Sequence, residues 1–113
     1  MKVEAKNGSL LVNGSRRFLL GVNYWNRHYN ILMWRRWDPN AIIDDLDRLK
    51  EAGIRALRIF LLAEDFSTPE GHAKKEALEK LKVYLDEAAQ RGLLVFPSFI
   101  VGHMSGKNWP LPW

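Results

Sequence analysis

Three places in the sequence gather side chains that bind hydroxyls, stack on flat apolar faces or carry charge. The first is Asn23, Trp25, Arg27, His28 and Tyr29, followed by Trp34-Arg35-Arg36-Trp37. The second is Glu64-Asp65, and the third is His103, Ser105, Asn108 and Trp109. Indole and phenol rings stack on the C–H faces of sugar rings, while Asn, His and Arg hydrogen-bond to sugar hydroxyls. A site holding both kinds of group suits a carbohydrate. Taken singly, a loop tryptophan is better read as a clamp that folds its loop back onto the core. Taken together on one rim, the set favours binding. Asn23 carries two readings of equal weight, a substrate ligand pointing inward or a local cap on the loop that follows.

Other chemistries find less support. The chain has no cysteine, which excludes disulfides, thiolate metal sites and thiol catalysis. His28, His103 and Glu64 could bring three metal ligands from three strand ends. No helical pair of histidines supports this, so neither metal nor cofactor is expected. Glu64 and Asp65 are adjacent, so their side chains tend to point apart. They suit capping a loop or pairing with the rim arginines better than acid–base work. The formal charge of +4 raises a nucleic-acid or anionic-surface reading. Only Trp34–Trp37 is a local basic-aromatic cluster, however, and the other cations are mixed with carboxylates. No nucleic-acid partner is expected. The longest uncharged stretch, Gly92 to Gly106, is too short for a membrane helix and is broken by Pro97, so no membrane partner is expected either. The N-terminal segment has no apolar h-region, which points to a cytoplasmic location.

These groups need elements to position them. At 113 residues, 47% hydrophobic and 27% charged, the chain has a globular composition and enough length for one core. Asn7-Gly8 and Asn13-Gly14 separate short apolar runs, the strongest short-range hairpin signal. They predict a small antiparallel hairpin feeding a longer strand, FLLGVNYW. Asp38-Pro39 opens a helix as cap and first residue, Ile42, Leu46 and Leu49 share a face, and Gly53 closes it. IRALRIFLL, residues 54–62, follows as a strand. A second helix is predicted over Ala73–Arg91 with Leu78, Leu81, Leu85 and Ala88 on its apolar face, then a strand LLVFPSFIV, residues 93–101.

Strands alternating with helices imply a parallel sheet. The connection from Asn26 to Asp38 is long, aromatic and polar, with no Gly-x-Gly-x-x-Gly turn. That argues against a doubly wound dinucleotide fold and for a (β/α)8 barrel, where long loops after the strands carry function. A whole barrel needs ~250 residues, so the expected fold is a partial one: a hairpin cap over 1–17, then three strands and two helices over 18–113. Side chains alternate along a strand. Leu57, Ile59 and Leu61 therefore face the helices, and Ala56, Arg58, Phe60 and Leu62 face the barrel interior. An interior guanidinium needs a partner. Either Arg58 lies at an edge or bulge and faces out, or its partner belongs to strands outside this sequence.

GVNYW, RHY, ILMWRRWDP, ALRIFLLAEDF and LLVFPSFIVGHMSGKNW together resemble the N-terminal third of cellulase- and β-mannanase-like glycoside hydrolases. These are retaining (β/α)8-barrel enzymes of the family 5 type. The resemblance covers essentially the whole chain and rests on the order and spacing of the motifs. It implies that Arg58 is the second-strand arginine supporting the catalytic carboxylate. It also implies that His103 is a substrate-contacting histidine. With the rim residues gathered above, the expected substrate contacts are Asn23, Trp25, His28, Trp34, Trp37, His103 and Trp109. The partners it implies are an oligosaccharide or polysaccharide, mannan or glucan, and the rest of the barrel or another copy of the chain.

The sequence departs from that pattern in one respect. Retaining glycosidases need two carboxyls ~5–5.5 Å apart. In the family these resemble an Asn-Glu pair after the fourth strand and a Glu after the seventh. No Asn-Glu dipeptide occurs here, and of thirteen acidic residues only Glu64 and Asp65 sit at a strand end. No catalytic residue is expected, and the chain alone is expected to be inactive. The alternative is a stand-alone carbohydrate-binding or assembly module.

Overall fold

The structure, a computed structural model, describes residues 1–104 and 106–111. Ser105, one of the rim residues above, lies outside them. The chain opens as a three-stranded antiparallel meander: β1 (Val3–Lys6), β2 (Ser9–Val12) and β3 (Ser15–Arg16). Asn7 and Gly8 have φ of 50° and 74°, and Asn13 and Gly14 have 50° and 79°. Each pair makes the two-residue turn that matches strand twist. A single hairpin was expected; the second Asn-Gly instead pairs Val12 with Ser15 and adds a third strand. Val12 is buried against Ala56 and Leu94, the first residues of two later strands, so the meander closes the N-terminal end of the main sheet.

That sheet is parallel, in the order β4 (Gly21–Asn23), β5 (Ala56–Leu61), β6 (Leu94–Phe99). Gly21 pairs with Ala56, and Ala56 with Leu94. The helices α1 (Pro39–Glu51) and α3 (Lys75–Gln90) supply the connections. Asp38 Oδ1 accepts from the Ala41 amide and holds the start of α1. A one-turn helix, α2 (Ala63–Phe66), follows β5, and a small hairpin, β7 (His103–Met104) with β8 (Lys107–Asn108), follows β6. Both are too short to leave a periodic signal.

Alternation along β5 sorts the two faces. Leu57, Ile59 and Leu61 are buried with Ile42 and Leu46 of α1 and Leu81, Tyr84 and Ala88 of α3. The stripe α3 buries is Ala77, Leu81, Tyr84 and Ala88. Leu78 and Leu85, expected on that face, are exposed, because positions 77 and 84 point at the sheet and 78 and 85 sit about 100° further round. Among the described residues, no helix lies on the opposite face of the sheet. Gly21, Asn23, Ala56, Arg58 and Phe96 line an open hollow there of about 490 Å³. Helices on one face and a hollow on the other make an arc of barrel wall.

Candidate functional site

The hollow continues to the C-terminal ends of the strands. Asn23 ends β4 and is exposed. It borders both the first hollow and a second one of about 300 Å³, lined by Asn23, Tyr24, Trp25, Phe60 and Met104. Trp25 is half-buried, its ring 6.5 Å from that of Phe60. Phe60, Leu62 and Ile31 form a small apolar cluster under this rim, with Trp25, Met104 and Trp109 packed against it.

Arg58 projects from the central strand into the first hollow. Its Nε donates to Ser98 Oγ at 2.8 Å, and its guanidinium lies 5.0 Å from the centre of the Phe60 ring. The side chain is exposed, so solvent covers the charge that burial would penalise. Neither an edge position nor a bulge is involved, since β5 pairs without interruption with β6.

The third strand's loop turns back as the β7–β8 hairpin. His103 is exposed, and its Nδ1 lies 2.8 Å from Asn108 Oδ1 across that hairpin. Trp109 is half-buried. Its indole N–H donates to the Met104 carbonyl at 3.1 Å, and Lys107 Nζ lies 4.4 Å over its ring. These contacts hold the hairpin together, and Met104 and Trp109 pack it onto the apolar cluster that also carries Trp25.

The remaining sequence candidates lie elsewhere. Trp34 is 2% exposed. Its indole N–H donates to the Phe60 carbonyl at 2.9 Å, and its ring stacks on Trp37 and meets Phe66 and Tyr84 edge-on. Trp34 thus joins the loop to β5 and α3. His28 is exposed and accepts from Arg27 Nε at 3.3 Å, while Trp37 is half-buried; neither lines either hollow. Arg35 pairs with both Glu64 and Asp65. Burial pushes the Asp65 carboxyl above its ordinary value, against the pull of Arg35. His28, His103 and Glu64 do not converge; among the described residues no group of three His, Asp or Glu side chains is placed to hold a metal.

One buried polar network went unrecognised in the sequence. Asp45 Oδ2 accepts from the Tyr24 hydroxyl at 2.9 Å and from Asn26 Nδ2 at 3.3 Å. Asn26 is 1% exposed, and its Oδ1 accepts from the amides of His28 and Tyr29. Arg27 bridges Asp44 and Asp45 from outside. Burial, then the Asp45 charge, raises the Tyr24 phenol far above its usual range. This network fixes the start of the long loop and so sets where Trp25 stands. A signal was present: Asp45 falls on the Ile42–Leu46–Leu49 stripe of α1, where a carboxylate needs a donor.

No protein-family model matches the chain, and no curated protein matches it in sequence. Solved structures do. An exo-β-1,4-mannosidase from Opitutaceae bacterium strain TAV5 superposes with a TM-score of 0.84 at 35% identity, over 89% of this chain. GH5_18 from Streptomyces cattleya, solved in variant form with Manβ1-4GlcNAc, gives 0.78 at 30% identity over 82%. GH5_18 from Bifidobacterium longum gives 0.77 at 25% identity over 82%. The chain spans 18%, 22% and 22% of those three proteins respectively, about a fifth of each.

Proposed function

We propose, from the premise that this chain is part of a glycoside hydrolase barrel of the family 5 type, that it forms one wall of a β-mannoside-binding cleft. The bond-breaking carboxyls then come from strands other than the three described here. The observation that carries this reading is the 35% identity to an exo-β-1,4-mannosidase across 89% of the chain. The hollow at the strand ends supports it. Asn23 offers amide donor and acceptor, Trp25 offers ring surface over the buried Phe60, and His103 and Trp109 stand on the neighbouring hairpin.

The geometry also supports the division of labour. Hydrolysis with retention needs an acid/base carboxyl and a nucleophile ~5–5.5 Å apart across the sugar bond. The residues lining the two hollows include no carboxylate. Glu64 and Asp65 are engaged by Arg35 and line neither hollow. Arg58 has the opposite character. Only its Nε is bonded among the described residues, which leaves the far nitrogens of the guanidinium for a carboxylate across the hollow. Its role in this reading is to hold such a carboxylate ionised and oriented.

The test is complementation. Mixing this chain with a polypeptide that carries the remaining strands of a family 5 barrel should yield hydrolysis of a β-mannoside that neither partner shows alone. Arg58→Ala should abolish that hydrolysis while leaving the two polypeptides associated. A complex that forms and is unaffected by Arg58→Ala, or a failure to associate, would contradict the reading.

A further inference from the structure

Trp34-Arg35-Arg36-Trp37 is one basic-aromatic motif in sequence, and the structure divides it. The 3₁₀ turn over Ile31–Trp34 sends Trp34 into the core, and Arg35 is taken by Glu64 and Asp65. Arg36 and Trp37 remain. With Tyr29, Arg35, Asp38 and Pro39 they line a separate cleft of about 560 Å³. It shares no residue with either hollow at the strand ends.

Two features of this cleft suit a ligand. The first is a pair of fixed aromatic surfaces. Trp37 stacks on the enclosed Trp34, ring centres 5.7 Å apart and planes 14° from parallel. Tyr29 is anchored by its amide on Asn26 Oδ1, and both rings pack on the main core. Neither ring needs to be ordered when a ligand arrives, which lowers the entropic cost of binding. The second feature is charge. The neighbouring cations are all engaged: Arg27 and Arg48 on Asp44, Arg35 on Glu64 and Asp65, and Lys80 on the Trp34 carbonyl. Arg36 is exposed, and its guanidinium bonds to no side chain or carbonyl among the described residues. The cleft's carboxylate, Asp38, is occupied at Oδ1 by the Ala41 amide.

We infer that this outer cleft binds a sugar unit bearing an anionic group, the ring against Tyr29 and Trp37 and the carboxylate or phosphate on Arg36. A planar guanidinium pairs with either anion through two parallel N–H donors. A neutral sugar would leave that charge in water and gain only the stacking. The site lies outside the strand-end hollow and stands independently of whether that hollow binds mannosides.

The experiment is a titration of the chain with methyl mannoside, mannuronate and a mannose phosphate, followed by tryptophan fluorescence at low salt. At least one acidic sugar should bind about tenfold more tightly than the neutral one. Comparing the two acidic ligands tells which anion the site takes. Arg36→Gln should erase the preference, and raising salt to about 200 mM should weaken it several-fold. Trp25→Ala, at a residue that lines the strand-end hollow and not this cleft, should leave it intact. Equal affinities, no binding of any of the three, a preference that survives Arg36→Gln, or one lost with Trp25→Ala would each overturn the proposal.

Discussion

Asp45 is the residue on which the long loop depends. The residue is 8% exposed, and its carboxylate accepts from Tyr24 and Asn26. Asp45→Ala would leave a buried hydroxyl and a buried amide without an acceptor, and should cost about 2–3 kcal/mol by urea denaturation. Tyr84 presents the reverse case. It is fully buried, and its hydroxyl finds no partner among the described residues. Tyr84→Phe should therefore gain roughly 1 kcal/mol in the same measurement. Burial raises both the Tyr24 and Tyr84 phenols. In the unfolded chain they ionise near their ordinary value of about 10, while the folded chain keeps both protons. Their contribution is therefore complete below about pH 10 and is lost as pH rises above it. Thermal midpoints should fall over that window, and less steeply in Tyr84→Phe; an unchanged midpoint at pH 11 would contradict this. At this scale the sequence was uneven. The inward direction of Arg58 followed from alternation along one strand. The burial of Trp34 did not, because a loop aromatic carries no periodicity and its destination depends on packing against Phe66 and Tyr84, far along the chain.

The elements were more legible. Asp38-Pro39, Gly53 and Gly92 punctuate the helices, and the apolar runs between them became β5 and β6. What escaped was set by contacts rather than local pattern: the third strand of the meander, the single turn of α2, and the choice of Ala77 and Tyr84 over Leu78 and Leu85. Two residues show how tightly the sheet is specified. A Cβ on Gly21 would stand 3.0 Å from Ala56 Cβ and 3.1 Å from its carbonyl oxygen. Gly21→Ala should force β4 away from β5 and destabilise by about 1–3 kcal/mol. Pro97 lies within β6, a position that normally removes a ladder bond. The Leu94 amide donates to the Arg55 carbonyl, so residues 94, 96 and 98 face β5 and Pro97 faces the free edge. There its missing N–H leaves the pairing with β5 intact and removes one donor from the edge, which weakens non-specific strand addition. Pro97→Val should keep the fold and increase self-association in sedimentation velocity. An unchanged sedimentation coefficient would refute that role.

At the scale of the molecule, the described residues cover the sheet on one face only. Phe96 is exposed on the open face, and Phe18, Val22, Phe99 and Ile100 lie exposed at the sheet's margins. Parallel sheets are normally buried on both faces. The arc thus has the form of a barrel wall with one side open, consistent with its match to about a fifth of the length of the GH5 mannosidase-like structures. The central claim is that this wall binds a β-mannoside at the strand ends and does not cleave it. Titrating the chain with a β-1,4-linked manno-oligosaccharide, with tryptophan fluorescence as the readout and Trp25→Ala as the control, tests that claim most directly. The account predicts saturable binding at about millimolar sugar, lost in Trp25→Ala, with the oligosaccharide recovered intact. No change in fluorescence at that concentration, or release of mannose by the chain alone, would contradict it.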